Sequence, residues 1–151
     1  MLVKLLPSDV TKHWDSIREA MEETIPQEYL RTHDRLNNIL DNLLLDSMQA
    51  WFVVVGVDLL PKVVALLITT IFNDNCVRAD VLRLYCLYGY EPIPEQEWDS
   101  SFETLTKFAI GRGCVQMEAF TGNVLLIERA KKHGWDTRMT HIYRELPKEI
   151  S

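Results

Sequence analysis

Apolar residues Val10, Trp14, Ile17, Met21 and Ile25 recur at three- and four-residue steps, which predicts one buried stripe on an α-helix capped by Ser8 or Asp9. A short strand over Leu2–Leu6 precedes it. Pro26 ends the helix and can open a second one, whose stripe is Leu36, Ile39, Leu40, Leu43, Leu44 and Met48. The period then shortens. Ala50–Val57 and Lys62–Phe72 are rich in β-branched residues, and Asp58-Leu-Leu-Pro61 between them suits a turn, because proline cannot donate to a central ladder. Val81–Tyr88 is almost wholly apolar or aromatic, as expected of a strand covered on both faces. Helical spacing returns over Glu95–Ile110 with Trp98, Phe102 and Leu105, and Gly111-Arg-Gly113 stops it. Cys114–Phe120 then reads as a strand, Asn123–Lys132 as a helix, Asp136–Leu146 as a final strand and Pro147–Ser151 as a frayed tail. The predicted order is β-α-α-β-β-β-α-β-α-β, an α/β fold with a mixed, mostly antiparallel sheet and helices on both faces.

Composition narrows the class. The 151 residues suit one domain spanning 1–151, with 47% apolar and 25% charged residues as in ordinary globular proteins. Sixteen basic against 22 acidic residues give a net charge of −6, which disfavours non-specific nucleic-acid binding. Three cysteines, Cys76, Cys86 and Cys114, lie on apolar segments without C-x-x-C spacing. They read as thiols packed in a core in a reducing, cytoplasmic compartment, with no zinc site. The apolar run Met1–Pro7 is too short for a signal peptide, and Asp58, Pro61 and Lys62 interrupt the longest hydrophobic region, so no membrane span is expected.

One stretch carries more than periodicity. From Gly113 a strand runs toward Asn123, a helix of about three turns follows, and Gly134-Trp135 opens the next segment. This order and register resemble the C-terminal half of the GNAT (Gcn5-related N-acetyltransferase) fold, and the predicted topology extends the resemblance over essentially the whole chain. The resemblance implies acetyl-coenzyme A held where the fourth strand meets the following helix, by a loop of the form Gln/Arg-x-x-Gly-x-Gly/Ala. Leu87, Gly89, Tyr90 and Asn123 are the donor-side positions it points to. It also implies a tyrosine seven residues after the asparagine to protonate the leaving thiolate. Here that position is Ala130, and the loop segment Tyr88–Asp99 has one glycine, Gly89, two prolines and the acids Glu91, Glu95, Glu97 and Asp99. Acids in a first helical turn complement the macrodipole and repel a pyrophosphate.

Three residues could still do chemistry. Glu118 stands where the family often places a carboxylate that deprotonates an amine through water, although on an alternating strand it shares a face with Gln116 and Phe120 beside the sheet edge. Tyr85 or Tyr88 could replace the missing proton donor, whereas strand aromatics more often serve packing. The four histidines lack the i, i+4 spacing of a helical metal site, and neither G-x-S-x-G nor G-x-x-x-x-G-K-[ST] occurs. The expectation is therefore a degenerate GNAT-like binding or assembly module with no cofactor, similar also to small GNAT-like proteins of tailed phages. The alternative is an active N-acyltransferase that uses acetyl-coenzyme A through an atypical loop. Partners would be another protein or a second copy, because a final strand over Asp136–Leu146 would leave an unpaired edge suited to a twofold dimer.

Overall fold

A computed structural model describes residues 1–56, 58, 60–144, 146 and 147. The chain forms two compact units, Met1–Ala119 and a shorter one from Phe120 onward. The first holds β1 (Leu2–Lys4), α1 (Pro7–Thr24), α2 (Gln27–Arg31), α3 (Arg35–Leu44), β2 (Met48–Val55), β3 (Lys62–Asp74), β4 (Ala79–Gly89), α4 (Glu95–Gly111) and β5 (Cys114–Ala119). The second holds α5 (Val124–Lys132).

The five strands make one sheet in the order β1-β2-β3-β4-β5, antiparallel except for the parallel β4–β5 pair. Strand alternation sorts the side chains into two layers. Ala50, Leu66, Ile68 and Cys86 join Ile17 and Met21 of α1 and Ile39 and Leu43 of α3 in one core. Trp51 turns the other way and meets Phe108 of α4 edge-on, ring centroids 4.8 Å apart. Helices therefore cover both faces, which is why β2, β3 and β4 read as continuous apolar runs.

Between α1 and β2 the single predicted helix is two helices. A 3-10 turn over Thr32–Asp34 separates α2 from α3, with His33 and Asp34 both left-handed at φ +58° and +54°. Asn38 Nδ2 donates to the His33 carbonyl at 2.8 Å and holds the break. Met48, assigned to the helical stripe, is the first residue of β2. At the far end, β2 stops at Val55 because Gly56 adopts φ +68°, where an added Cβ would lie 2.8 Å from the Leu60 carbonyl oxygen. Val57, at the predicted strand end, and residues 148–151 of the expected tail lie outside the described residues.

The expected final strand is a correction. No described residue from Asp136 to Leu146 is in a strand. The segment lacks proline and glycine and so could extend, but a strand exists only when a ladder partner satisfies its backbone, and none is in place among the described residues. Cys76 is a second correction. It is exposed in the β3–β4 turn, its N–H donating to Asp74 Oδ1 at 2.7 Å, while Cys86 and Cys114 are buried as expected and all three thiols are free. Among the described residues no helix is long and apolar enough to cross a membrane, and no group of three or more His, Cys, Asp or Glu could hold a metal ion.

Candidate functional site

Two irregularities shape the middle of the sheet. In β4 the register with β3 shifts between Ile68 and Thr69, whose partners are Cys86 and Leu84, so Tyr85 is the extra, bulged residue. The ladder between β4 and β5 ends at the same level, at the pair Leu84–Ala119. Beyond it β4 continues to Gly89, paired among the described residues with β3 alone.

Tyr85 is mostly buried beside this bulge. Burial pushes its hydroxyl well above the usual tyrosine range, and a hydrogen bond with Tyr29 adds to the effect. Arg35 lies over the Tyr29 ring, 3.6 Å from its centroid. An acid this weak is poorly matched to protonating a leaving thiolate. Tyr88 is half-buried with its ring edge-on to Tyr90 at 5.2 Å. Burial, Tyr88 and Glu19 raise the Tyr90 hydroxyl. Both rings line a groove of about 500 Å³ under α1, together with His13, Glu19, Glu23 and Phe52. Two carboxylates and two tyrosine rings line it, chemistry that suits a cationic group better than an anion.

Glu118 is half-buried on β5 and faces Arg83, its register partner on β4. The guanidinium donates from Nε and Nη2 to the same carboxylate oxygen, Oε1, each at 2.7 Å. Arg83 also sits over the Phe72 ring, 4.4 Å from its centroid. Glu118 is thus a fixed counter-ion, and deprotonating an amine would require that pair to open.

The β4–α4 loop decides whether a pyrophosphate could be held. Such a cradle needs several backbone N–H groups pointing into open space. Here the N–H groups of Tyr90 and Glu91 both donate to the Val64 carbonyl, at 2.8 and 3.2 Å. Val64 is itself the extra residue of a β3 bulge, lying between the partners of Val53 and Val54. Pro92 and Pro94 have no N–H, and the Glu97 N–H donates to Pro94 O at 3.0 Å. Glu95 and Glu97 occupy the first turn of α4. A Cβ on Gly89 would meet only the Glu91 oxygen at 3.5 Å, an ordinary contact, so the fold does not require glycine there. Leu87 is half-buried in β4 opposite Leu67. The residues present do not fit the diphosphate of coenzyme A.

In the second unit, the residues that carried the resemblance are helix signals. The Asn123 side chain accepts from Leu126 N at 3.1 Å and caps α5. Gly134, at φ +82°, donates to Lys131 O, and Trp135 N donates to Ala130 O, each at 3.1 Å, which closes the helix as a Schellman motif. Ala130 is buried and offers no hydroxyl at the tyrosine position.

Tyr29 and Arg35 escaped the sequence reading. They are separated from Tyr85 by more than forty residues and fall outside the apolar stripe, so no local pattern marks them.

No family model matches the chain, and no curated protein matches it in sequence. Solved structures do match in shape. A probable acetyltransferase superposes with a TM-score of 0.67 at 12% identity, covering 100% of this chain and 99% of the other. A ribosomal-protein-alanine N-acetyltransferase from Brucella melitensis biovar Abortus 2308 gives 0.62 at 9% identity, covering 97% and 99%. Aminoglycoside N-acetyltransferase AAC(6')-Iy, solved in complex with CoA, gives 0.60 at 14% identity, covering 96% and 93%. The fold is GNAT-like.

Proposed function

We propose that this chain is a GNAT-fold binding module in which the acetyl-coenzyme A donor site has been dismantled. The single observation that carries this reading is that the Tyr90 and Glu91 N–H groups, the natural donors of the β4–α4 loop, both end on the Val64 carbonyl, with prolines at the two alternating positions that follow. Ala130 in place of a tyrosine and the pairing of Glu118 with Arg83 remove the other two parts of the same chemistry. The groove under α1 remains as a surface for a ligand, and the cysteine usage fits a cytoplasmic setting.

A second reading, an active N-acyltransferase, has one feature in its favour. Beyond Leu84, β4 has no β5 partner among the described residues, and a strand edge of that kind can pair with an amide-bearing acyl carrier. Titration calorimetry and thermal shift with acetyl-coenzyme A separate the two. A ligand at a hundredfold excess over its Kd adds about 2.7 kcal/mol, which is roughly 5–10 °C in Tm for a chain of this size. The binding-module reading expects no heat at micromolar concentrations and no such shift. Micromolar affinity, or time-dependent release of free coenzyme A thiol with an amine acceptor present, would refute it.

A further inference from the structure

The groove under α1 has a lining that donor chemistry does not use. All of that lining belongs to the unit Met1–Ala119, and among the described residues no lysine or arginine reaches it. Glu19 and Glu23 stand one turn apart on α1, and neither carboxylate has an ion pair or hydrogen bond among the described residues. Like charges at this spacing repel, a cost that a cation beside them offsets. The aromatic part is equally particular. Tyr88 and Tyr90 lie two residues apart, and their rings meet at 83° with centroids 5.2 Å apart, a corner rather than a stack. The Tyr90 N–H donates to the Val64 carbonyl at 2.8 Å, so the bond that withdraws this amide from any anion also anchors the second ring. Glu19 adjoins the Tyr90 hydroxyl closely enough to help raise it. Phe52 and Val63 add apolar surface, with His13 edge-on to Phe52 at 5.4 Å.

We propose that this groove binds a small quaternary ammonium compound, its methylated nitrogen against the Tyr88 and Tyr90 rings and its charge balanced by Glu19 and Glu23. Ring faces attract a cation through their quadrupole, and a methylated ammonium is their characteristic guest. A primary ammonium is strongly hydrated and needs acceptors for three N–H groups, whereas Phe52, Val63, Ala20 and the two rings offer it mostly apolar surface. The carboxylates also repel a ligand that carries its own phosphate or carboxylate, which disfavours zwitterions. A volume of about 500 Å³ falls within the roughly 300–1,000 Å³ of small-molecule sites. Such a ligand has no N–H to acylate, so the groove is a receptor site and not an acceptor cleft. The proposal rests on reading the groove as the module's ligand surface and is independent of whether coenzyme A binds.

Titration calorimetry with choline chloride at constant ionic strength tests this, against ethanolamine as the primary amine and dimethylbutanol as the uncharged carbon isostere. The expected result is saturable binding of choline with a Kd of about 1 mM or below, and binding about tenfold weaker for each of the other two. Tyr90→Leu, and separately Glu19→Gln combined with Glu23→Gln, should each weaken choline about tenfold. Tyr90→Phe keeps the ring and should stay within about twofold of wild type. All three side chains are exposed, so the variants keep the wild-type circular dichroism. Absence of saturation below about 10 mM overturns the proposal. Equal affinity for the isostere overturns it too, because the groove is then only apolar, and equal or tighter binding of ethanolamine makes it an amine-acceptor cleft instead. Choline affinity unchanged in both the ring and the carboxylate variants places the ligand outside this groove and refutes the assignment. None of these outcomes depends on the acetyl-coenzyme A titration, which decides the loss of the donor site separately.

Discussion

Replacing Thr69 by valine should destabilise the protein severely for an isosteric change. The Thr69 hydroxyl is fully buried and serves two neighbours, accepting from Trp51 Nε1 at 3.0 Å and donating to Gln49 Oε1 at 2.8 Å. Gln49 in turn donates from Nε2 to the Asp46 carbonyl at 2.8 Å. Trp51 and Gln49 are 3% and 2% exposed, so water cannot replace the lost hydroxyl. Each orphaned buried group costs about 1–3 kcal/mol, and the valine methyl returns about 0.8 kcal/mol. For the two groups together the net loss is then roughly 1–5 kcal/mol. Urea unfolding followed by tryptophan fluorescence should show a lower midpoint at unchanged slope. Adding Gln49→Leu removes one of the two orphans and should recover about 1 kcal/mol, a coupling that a double-mutant cycle isolates. A Thr69→Val midpoint giving a loss below about 0.5 kcal/mol, the size of a surface substitution, would refute the accounting.

Asp46 supplies a pH-dependent test. Burial pushes its carboxyl up, but hydrogen bonds and charge from Lys4 and Arg112, each 2.9 Å away, outweigh that and hold it below the usual range. A depressed folded pKa means stability that is present above the unfolded value of about 3.9 and lost as pH falls through the folded one. Asp46→Asn, which tolerates the left-handed φ of +63° there, should therefore lower Tm at pH 7 and match wild type more closely below about pH 4. The half-exposed pair limits the effect to about 1 kcal/mol or less. For the thiols, burial raises Cys86 and Cys114, while Cys76 is exposed. A disulfide reagent should label one cysteine quickly in the native protein, a rate that Cys76→Ser abolishes, and all three after unfolding.

The long periodic segments were legible because burial imposes its period on the residues directly. The stripe from Val10 to Met21 and the apolar run of β3 each name their own element, and Asn123 and Gly134 mark the two ends of α5. The break at His33–Asp34 was not legible, since neither glycine nor proline announces it and the left-handed pair is held by contacts such as Asn38. The last strand failed for a different reason. The capacity to extend is a property of one segment, whereas a ladder needs a second segment in register. Site geometry was hidden for the same cause: Arg83 meets Glu118 only because the parallel β4–β5 register brings them level, across 35 residues of sequence. The missing tyrosine at Ala130 and the poor loop were visible as residue types. That Val64 takes up the loop's donors was not, because it depends on a bulge.

The Val64 carbonyl has a consequence for how this protein could change. Two main-chain amides bonded to one main-chain oxygen cannot be released by altering side chains, so replacing Glu95, Glu97 or even Ala130 leaves both amides on Val64. Freeing them requires the β3 bulge and the 89–94 connection to change together, since moving either alone strands a carbonyl or two amides. Point substitution thus meets a barrier that loop replacement avoids. Surface residues can change freely while the backbone keeps these two amides on Val64.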